Sequence, residues 1–285
     1  MSTRKIQQAI PAQSVTEGAG VMVYRTIGTS QLKNLDPFLM LDLFSSTSPD
    51  DYIAGFPPHP HRGFITLTYM IEGNMRHEDS MGNEGHLKSG GIQWMKAASG
   101  VIHSEMPEQE AGEMRGFQLW INLPASEKMS APQYQEFKAE LIPLVKTDNM
   151  TVKIICGSYA GETSPINDPH THVTYLDVEL AADTEFTLPV SDSANIFITP
   201  FENDVLINNT HIAPRTLAVL TSGNTVNVTA GSKGARFILL SGEPINEPIV
   251  QHGPFVMNNN DEIRQAFDDY NNNQLVSSRG EMLRE

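Results

Sequence analysis

Eight short runs of apolar or alternating residues, each cut off by Gly, Asn, Pro or Asp, set the main limit on what this chain can become. They are "FITLTYMI", "GIQWMKA", "GFQLWINL", "VTYLDVEL", "ANIFITPF", "TLAVLTSG", "TVNVTAG" and "ARFILLSG". Close-spaced strands with turn signals between them predict an all-β sandwich or barrel. They form two groups, about 20–125 and 150–242, separated by the more polar "PASEKMSAPQYQEFKAELIP". Two β units of similar length in tandem suggest a duplicated fold. The expected division is 1–130, a connection at 131–149, a second unit at 150–245 and a tail at 246–285. One helix is expected in the tail, where Ile263, Ala266, Phe267 and Tyr270 follow i, i+3, i+4, i+7 spacing behind the capping residues Asn258 to Asn260. The closing "SSRGEMLRE" is expected to be loosely held.

Composition narrows the function. Lys and Arg total 19 against 34 Asp and Glu, a formal net charge of −15 that repels nucleic-acid backbones and anionic lipid. No direct nucleic-acid or membrane partner is expected. The start, "MSTRKIQQAIPAQSV", lacks the apolar core of a secretory signal. The single cysteine, Cys156, lies in the apolar run "VKIICG" and is expected to be an inert core thiol. These features fit a cytoplasmic protein, with the nucleus open to a eukaryotic one.

The stretch "FPPHPHRGF" stands apart. Pro58 and Pro60 push the residues before them toward extended backbone, so His59 and His61 point to the same face. Two imidazoles on one face suit a metal, and equally a pair of hydrogen-bonded loop histidines. A second stretch, "GVIHSEMPE", repeats the spacing with His103 and Glu105. If the two meet as paired strands, three nitrogens and a carboxylate oxygen would converge. That set suits Fe(II), Mn, Ni, Cu or Zn and leaves positions open for a small molecule. A closed structural zinc site more often uses cysteine.

The H-x-H followed by G-x-x-H resembles the two cupin motifs, with departures. The first motif expects a glutamate where Ile65 and Thr66 stand, and Ala98 replaces a proline of the second. A glutamate supplied instead at Glu105 resembles the pirin family of bicupins. "LKNLDPFLMLDLF", "HPHRGFITLTYMIEG", "HEDSMGN", "GIQWMKAASGVIHSEMP", "EKMSAPQYQE" and "GEPINEPIVQHGPFVMN" are similar to its signature stretches over about 12–270. The resemblance implies two tandem cupin (jelly-roll-like) β-barrels with a C-terminal helix packing back on the N-terminal barrel. It implies one iron held by His59, His61, His103 and Glu105, and a metal-free C-terminal barrel. It also implies an iron-dependent dioxygenase of quercetinase type, acting on a small aromatic substrate and dioxygen with release of carbon monoxide. Glu105 would be both ligand and catalytic base. Phe56, Trp94 and Trp120 are candidate pocket residues. The alternative it carries is a regulatory protein that binds a transcription factor or metabolic enzyme, its metal a structural element or redox switch. A cupin dioxygenase acting on another small enol or thiol is a third possibility.

The remaining histidines are expected to matter less. His170 and His172 form another H-x-H ahead of Asp177, but Thr225 and Val226 fill the slots where a partner histidine would stand, so solvent exposure is expected. His77 and His252 are expected to be structural or to support a ligand. His86 and His211 sit in polar, turn-like contexts with no assigned role.

Overall fold

Each of the eight runs forms a strand in the computed structural model, which describes residues 2–166, 168–276 and 281–282. The first group supplies Phe64–Glu72, Ile92–Lys96 and Met114–Asn122; the second supplies Thr174–Leu180, Asn195–Glu202, Thr216–Leu220, Thr225–Ala230 and Ala235–Gly242. Alternation is the cause: Thr225–Ala230 buries Val226, Val228 and Ala230 and turns the residues between them outward. The expected all-β architecture is present, with one α-helix, Asn260–Asn271, among the described residues. No helix among them is long and apolar enough to cross a membrane.

The chain divides into two compact units. One comprises 1–13, 26–37 and 140–244. In it a seven-stranded sheet runs from Ile6–Pro11 through Thr216–Leu220, Asn195–Glu202, Ala235–Gly242, Thr174–Leu180 and Met150–Cys156 to Leu144–Lys146. A four-stranded sheet of Glu185–Pro189, Thr225–Ala230, Val205–Ile207 and Thr210–Ile212 lies over it. Leu176, Ile198 and Leu239 of the first sheet pack against Phe186, Val205 and Val228 of the second. Cys156 is buried in this unit, and burial pushes its thiol up to about 12.

The other unit comprises 14–25, 38–139 and 245–285. Its eight-stranded sheet runs Gln13–Glu17, Val21–Ile27, Phe38–Ser46, Met114–Asn122, Phe64–Glu72, Ile92–Lys96, Gln133–Phe137 and Glu281–Met282. Gln133–Phe137 falls in the polar stretch between the two groups of runs, and it pairs with Ile92–Lys96. The opposing four-stranded sheet runs Phe56–His61, Val101–Pro107, Asn74–Asp79, Glu84–Lys88.

The tail belongs to the same unit as 38–139. Asn259 caps the helix by accepting from the Glu262 N–H at 2.9 Å, and Asp261 and Glu262 suit the positive end of its dipole. Ile263 and Ala266 are buried with Phe255, Met257 and Leu275. Phe267 and Tyr270 remain partly exposed and meet Phe255 edge-on. Buried Arg62 binds the helix to the histidine stretch: its Nη1 donates to Asp269 at 2.7 Å and its Nε to the Ser99 carbonyl at 2.6 Å. Two glycines allow the close approach. A Cβ on Gly63 would sit 1.9 Å from the Val256 oxygen, and one on Gly100 would sit 2.4 Å from the Leu275 oxygen. The "SSRGEMLRE" stretch, apart from Glu281 and Met282, lies outside the described residues.

Candidate metal centre

Phe56–His61 is the edge strand of the four-stranded sheet, and among the described strands it pairs with Val101–Pro107. Proline lacks an N–H to donate, so an edge is where its three prolines cost least. His59 lies opposite His103, and His61 opposite Val101. On its other side, Val101–Pro107 pairs with Asn74–Asp79, placing Asp79 opposite His103 and His77 opposite Glu105. Opposed residues share a face, and so do residues two apart. His59, His61, His77, Asp79, His103 and Glu105 therefore project from one face. A register shift between His103 and Glu105, against Phe56–His61, marks a bulge in the site itself.

The four residues singled out by the two motifs fall in two overlapping clusters that share His103. The ligating atoms of His59, His61 and His103 lie within 4.8 Å of one another, as do those of His77, His103 and Glu105. His61, His103 and Glu105 are buried and His59 half-buried. Burial, reinforced by neighbouring imidazoles, holds His61 and His103 well below the usual histidine pKa, so both rings are neutral with a free lone pair. Burial raises the Glu105 carboxyl, with His59, His77 and a hydrogen bond from Thr68 opposing it. Thr68 Oγ1 lies 3.4 Å from Glu105 Oε1 and 2.5 Å from Gln118 Oε1.

Three observations test whether these residues fit a metal. His59 Nδ1 faces the Pro57 carbonyl at 2.9 Å; a carbonyl only accepts, so Nδ1 carries the hydrogen and Nε2 the lone pair. His59 Nε2 and His61 Nε2 are 3.1 Å apart. Two imidazole nitrogens held at right angles about 2.1 Å from one ion would be separated by about 3.0 Å. His103 Nε2 is buried with no hydrogen-bond partner, an arrangement that costs free energy unless a cation meets it. The residues fit a transition metal.

Among the candidate aromatics, Trp120 lies beside the site, its ring 5.1 Å from that of His61. Phe64, which the sequence did not single out, lies 5.0 Å from His61 and against Trp120. Phe56 packs instead with the cluster of Val21, Tyr52 and Met75, and Trp94 is buried. The second H-x-H does not repeat the geometry. His170 lies in a turn, His172 is exposed with a left-handed backbone, and Asp177 is held by Arg236 at 2.6 Å. Among the described residues no cluster of possible ligands includes them. His252 is exposed. His86 and His211 lie on strands rather than turns and pair with Glu108 and Asp204, at 2.8 and 2.7 Å.

Comparison with known proteins places this arrangement. Residues 20–121 match the family described as Pirin, and residues 175–276 match the Pirin C-terminal cupin domain. The chain belongs to the pirin family. It is 47% identical to a pirin-like protein of Caulobacter vibrioides over 95% of this chain and 98% of that one. Human pirin is 43% identical, with 95% and 93% covered. Among solved structures, a quercetin 2,3-dioxygenase from Acinetobacter baumannii superposes with a TM-score of 0.89 at 31% identity, covering 97% of this chain and 99% of that one. Both pirin domains are thus represented in one chain, and the converging histidines and Glu105 lie in the N-terminal one.

Proposed function

We propose that this pirin is a metal-dependent dioxygenase of quercetinase type. His59, His61 and His103 would hold Fe(II) through Nε2, and Glu105 through its carboxylate. The observation that supports this reading is the cluster of His59, His61 and His103, joined through His103 to a second cluster that includes buried Glu105, with His103 Nε2 buried and without a hydrogen-bond partner. The 31% identity to the Acinetobacter baumannii quercetin 2,3-dioxygenase supports the choice of substrate class. A bound redox-active metal supplies Lewis acidity and one-electron chemistry toward dioxygen.

The chain's own residues do the rest. Trp120, backed by the buried Phe64, offers aromatic surface beside His61, suited to a flat flavonol. Thr68, between Gln118 and Glu105, orients the carboxylate. Glu105 accepts the proton of the flavonol 3-hydroxyl, raising electron density in the heterocycle. Dioxygen then adds across that ring and carbon monoxide leaves. The test is anaerobic loading with Fe(II), then quercetin and oxygen. Loss of flavonol with stoichiometric carbon monoxide is expected from the native chain and not from Glu105→Ala. Loaded protein that does neither would overturn the enzyme reading and turn attention to a regulatory partner.

A further inference from the structure

We propose that Asp79 and His77 are positioning residues that fix the tautomer of His103, so that its Nε2 presents a lone pair toward His59 and His61. The inference rests on the metal-site reading above and concerns two residues outside the proposed ligand set.

Asp79 ends the strand Asn74–Asp79, and its side chain is fully buried. Its Oδ1 accepts the N–H groups of Met81 and Asn83, at 2.9 and 3.1 Å, and its Oδ2 accepts Asn83 Nδ2 at 2.8 Å. A carboxylate so surrounded by donors is an acceptor only. His77 Nε2, 3.2 Å from Oδ2, therefore carries the hydrogen of that contact. In the uncharged form of His77 the other nitrogen is an acceptor. His77 Nδ1 faces His103 Nδ1 at 3.4 Å, so the hydrogen between them belongs to His103. His103 Nε2 is then left with its lone pair, and it is the buried atom without a hydrogen-bond partner. His59 reaches the same state by donating Nδ1–H to a backbone carbonyl, that of Pro57. For His103 the acceptor is another histidine.

The intermediate ring is held in place. His77 stacks on Tyr134 with centroids 4.6 Å apart and planes 25° from parallel. The Tyr134 hydroxyl is fixed between Gln93 Nε2 at 2.9 Å and Glu136 Oε2 at 2.7 Å. Cross-strand register supplies the alignment, with Asp79 opposite His103. Carboxylate and imidazole partners of this kind raise a ligand's basicity and hold its plane.

Two full-length variants test the chain of donors. Asp79→Asn puts an amide nitrogen where an acceptor faces His77, which reverses every donor and moves the hydrogen to His103 Nε2. His77→Phe keeps the ring on Tyr134 and removes both nitrogens. Ring nitrogen NMR of the metal-free protein should show His103 with hydrogen on Nδ1 in the native chain and on Nε2 in Asp79→Asn. Titration with Co(II) should give unchanged stoichiometry in both variants with affinity lowered about 10–100-fold. X-ray absorption should count the same number of imidazoles around the cobalt in His77→Phe. An unchanged His103 tautomer in Asp79→Asn would overturn the proposal. So would the loss of one imidazole in His77→Phe, which would make His77 itself a ligand. If the native chain takes up no Co(II), the metal reading fails, while the metal-free spectrum still judges the tautomer.

Discussion

Gly63 follows the histidine pair directly, and its replacement by alanine shows how far the site depends on the tail. The backbone there has φ +90, a region that costs a non-glycine residue roughly 1–3 kcal/mol. The new Cβ would also lie 1.9 Å from the Val256 oxygen, where ordinary contact begins at 3.4 Å, so the strands must part by about 1.5 Å. That separation breaks the bonds on either side, Val256 N–H to the Arg62 carbonyl at 3.0 Å and Lys128 Nζ to the Val256 oxygen at 3.0 Å. At about 1 kcal/mol each, they bring the total to roughly 3–5 kcal/mol. Gly82 provides the control: its φ is +88, yet nothing lies within 4 Å of where a methyl would stand, so Gly82→Ala carries the backbone strain alone. Gly63→Ala should therefore be less stable than Gly82→Ala by about 2 kcal/mol. Urea unfolding followed by tryptophan fluorescence measures this, because both tryptophans, Trp94 and Trp120, lie in the unit that holds the site. Equal losses in the two variants would refute the claim that tail contact makes Gly63 obligatory.

Other expectations follow from the same geometry. Glu105→Gln should lower divalent-metal affinity by more than the roughly 10–100-fold expected for a supporting residue, as isothermal titration would show. For Asp269, burial alone would raise the carboxyl pKa, but hydrogen bonds from Arg62 and Gln265 outweigh it and the pKa is lowered. A depressed carboxylate stabilises the fold above its ordinary pKa of about 3.9 and loses that contribution as pH falls through the folded value, so Asp269→Asn should be less stable than native at pH 7 and converge with it below about pH 4. Cys156, with its thiol pushed up to about 12, should resist thiol reagents in the native protein and react on unfolding; fast labelling without urea would contradict its burial.

Much of this was legible in residue order because strands and helices have fixed periods. The eight alternating runs became strands, and the i, i+3, i+4, i+7 pattern at Ile263 became a helix. His59, His61, His103 and Glu105 were legible because spacing by two on extended chain forces a shared face. What escaped depends on contacts remote in sequence. Asp79 joins the site only through the register of a third strand, which also gives His77, expected to be structural or to support a ligand, its place opposite Glu105. Phe64 stands beside Trp120 because their strands are neighbours in the larger sheet, a pairing no local pattern specifies. Segments 1–13 and 26–37 belong to the unit built from 140–244, which local patterning cannot show because partners such as Ala9 and Ala218 lie far apart along the chain. The Gly63 and Gly100 requirements come from tail oxygens at Val256 and Leu275, again far along the chain.

The four converging groups are anchored unequally. His103 and Glu105 ride a strand hydrogen-bonded on both sides, whereas His59 and His61 ride an edge strand thinned by proline, bonded along one side and joined to the tail only past its end, at Arg62. Edge elements open locally at lower free energy than inner ones. The site thus has a firmer half and a looser one whose far end the tail pins at Arg62: excursions of Phe56–His59 would displace His59 ahead of His61 and leave His103 and Glu105 in place. Ion exchange would then follow the breathing rate of one short strand, and stiffening that strand would slow capture and release alike.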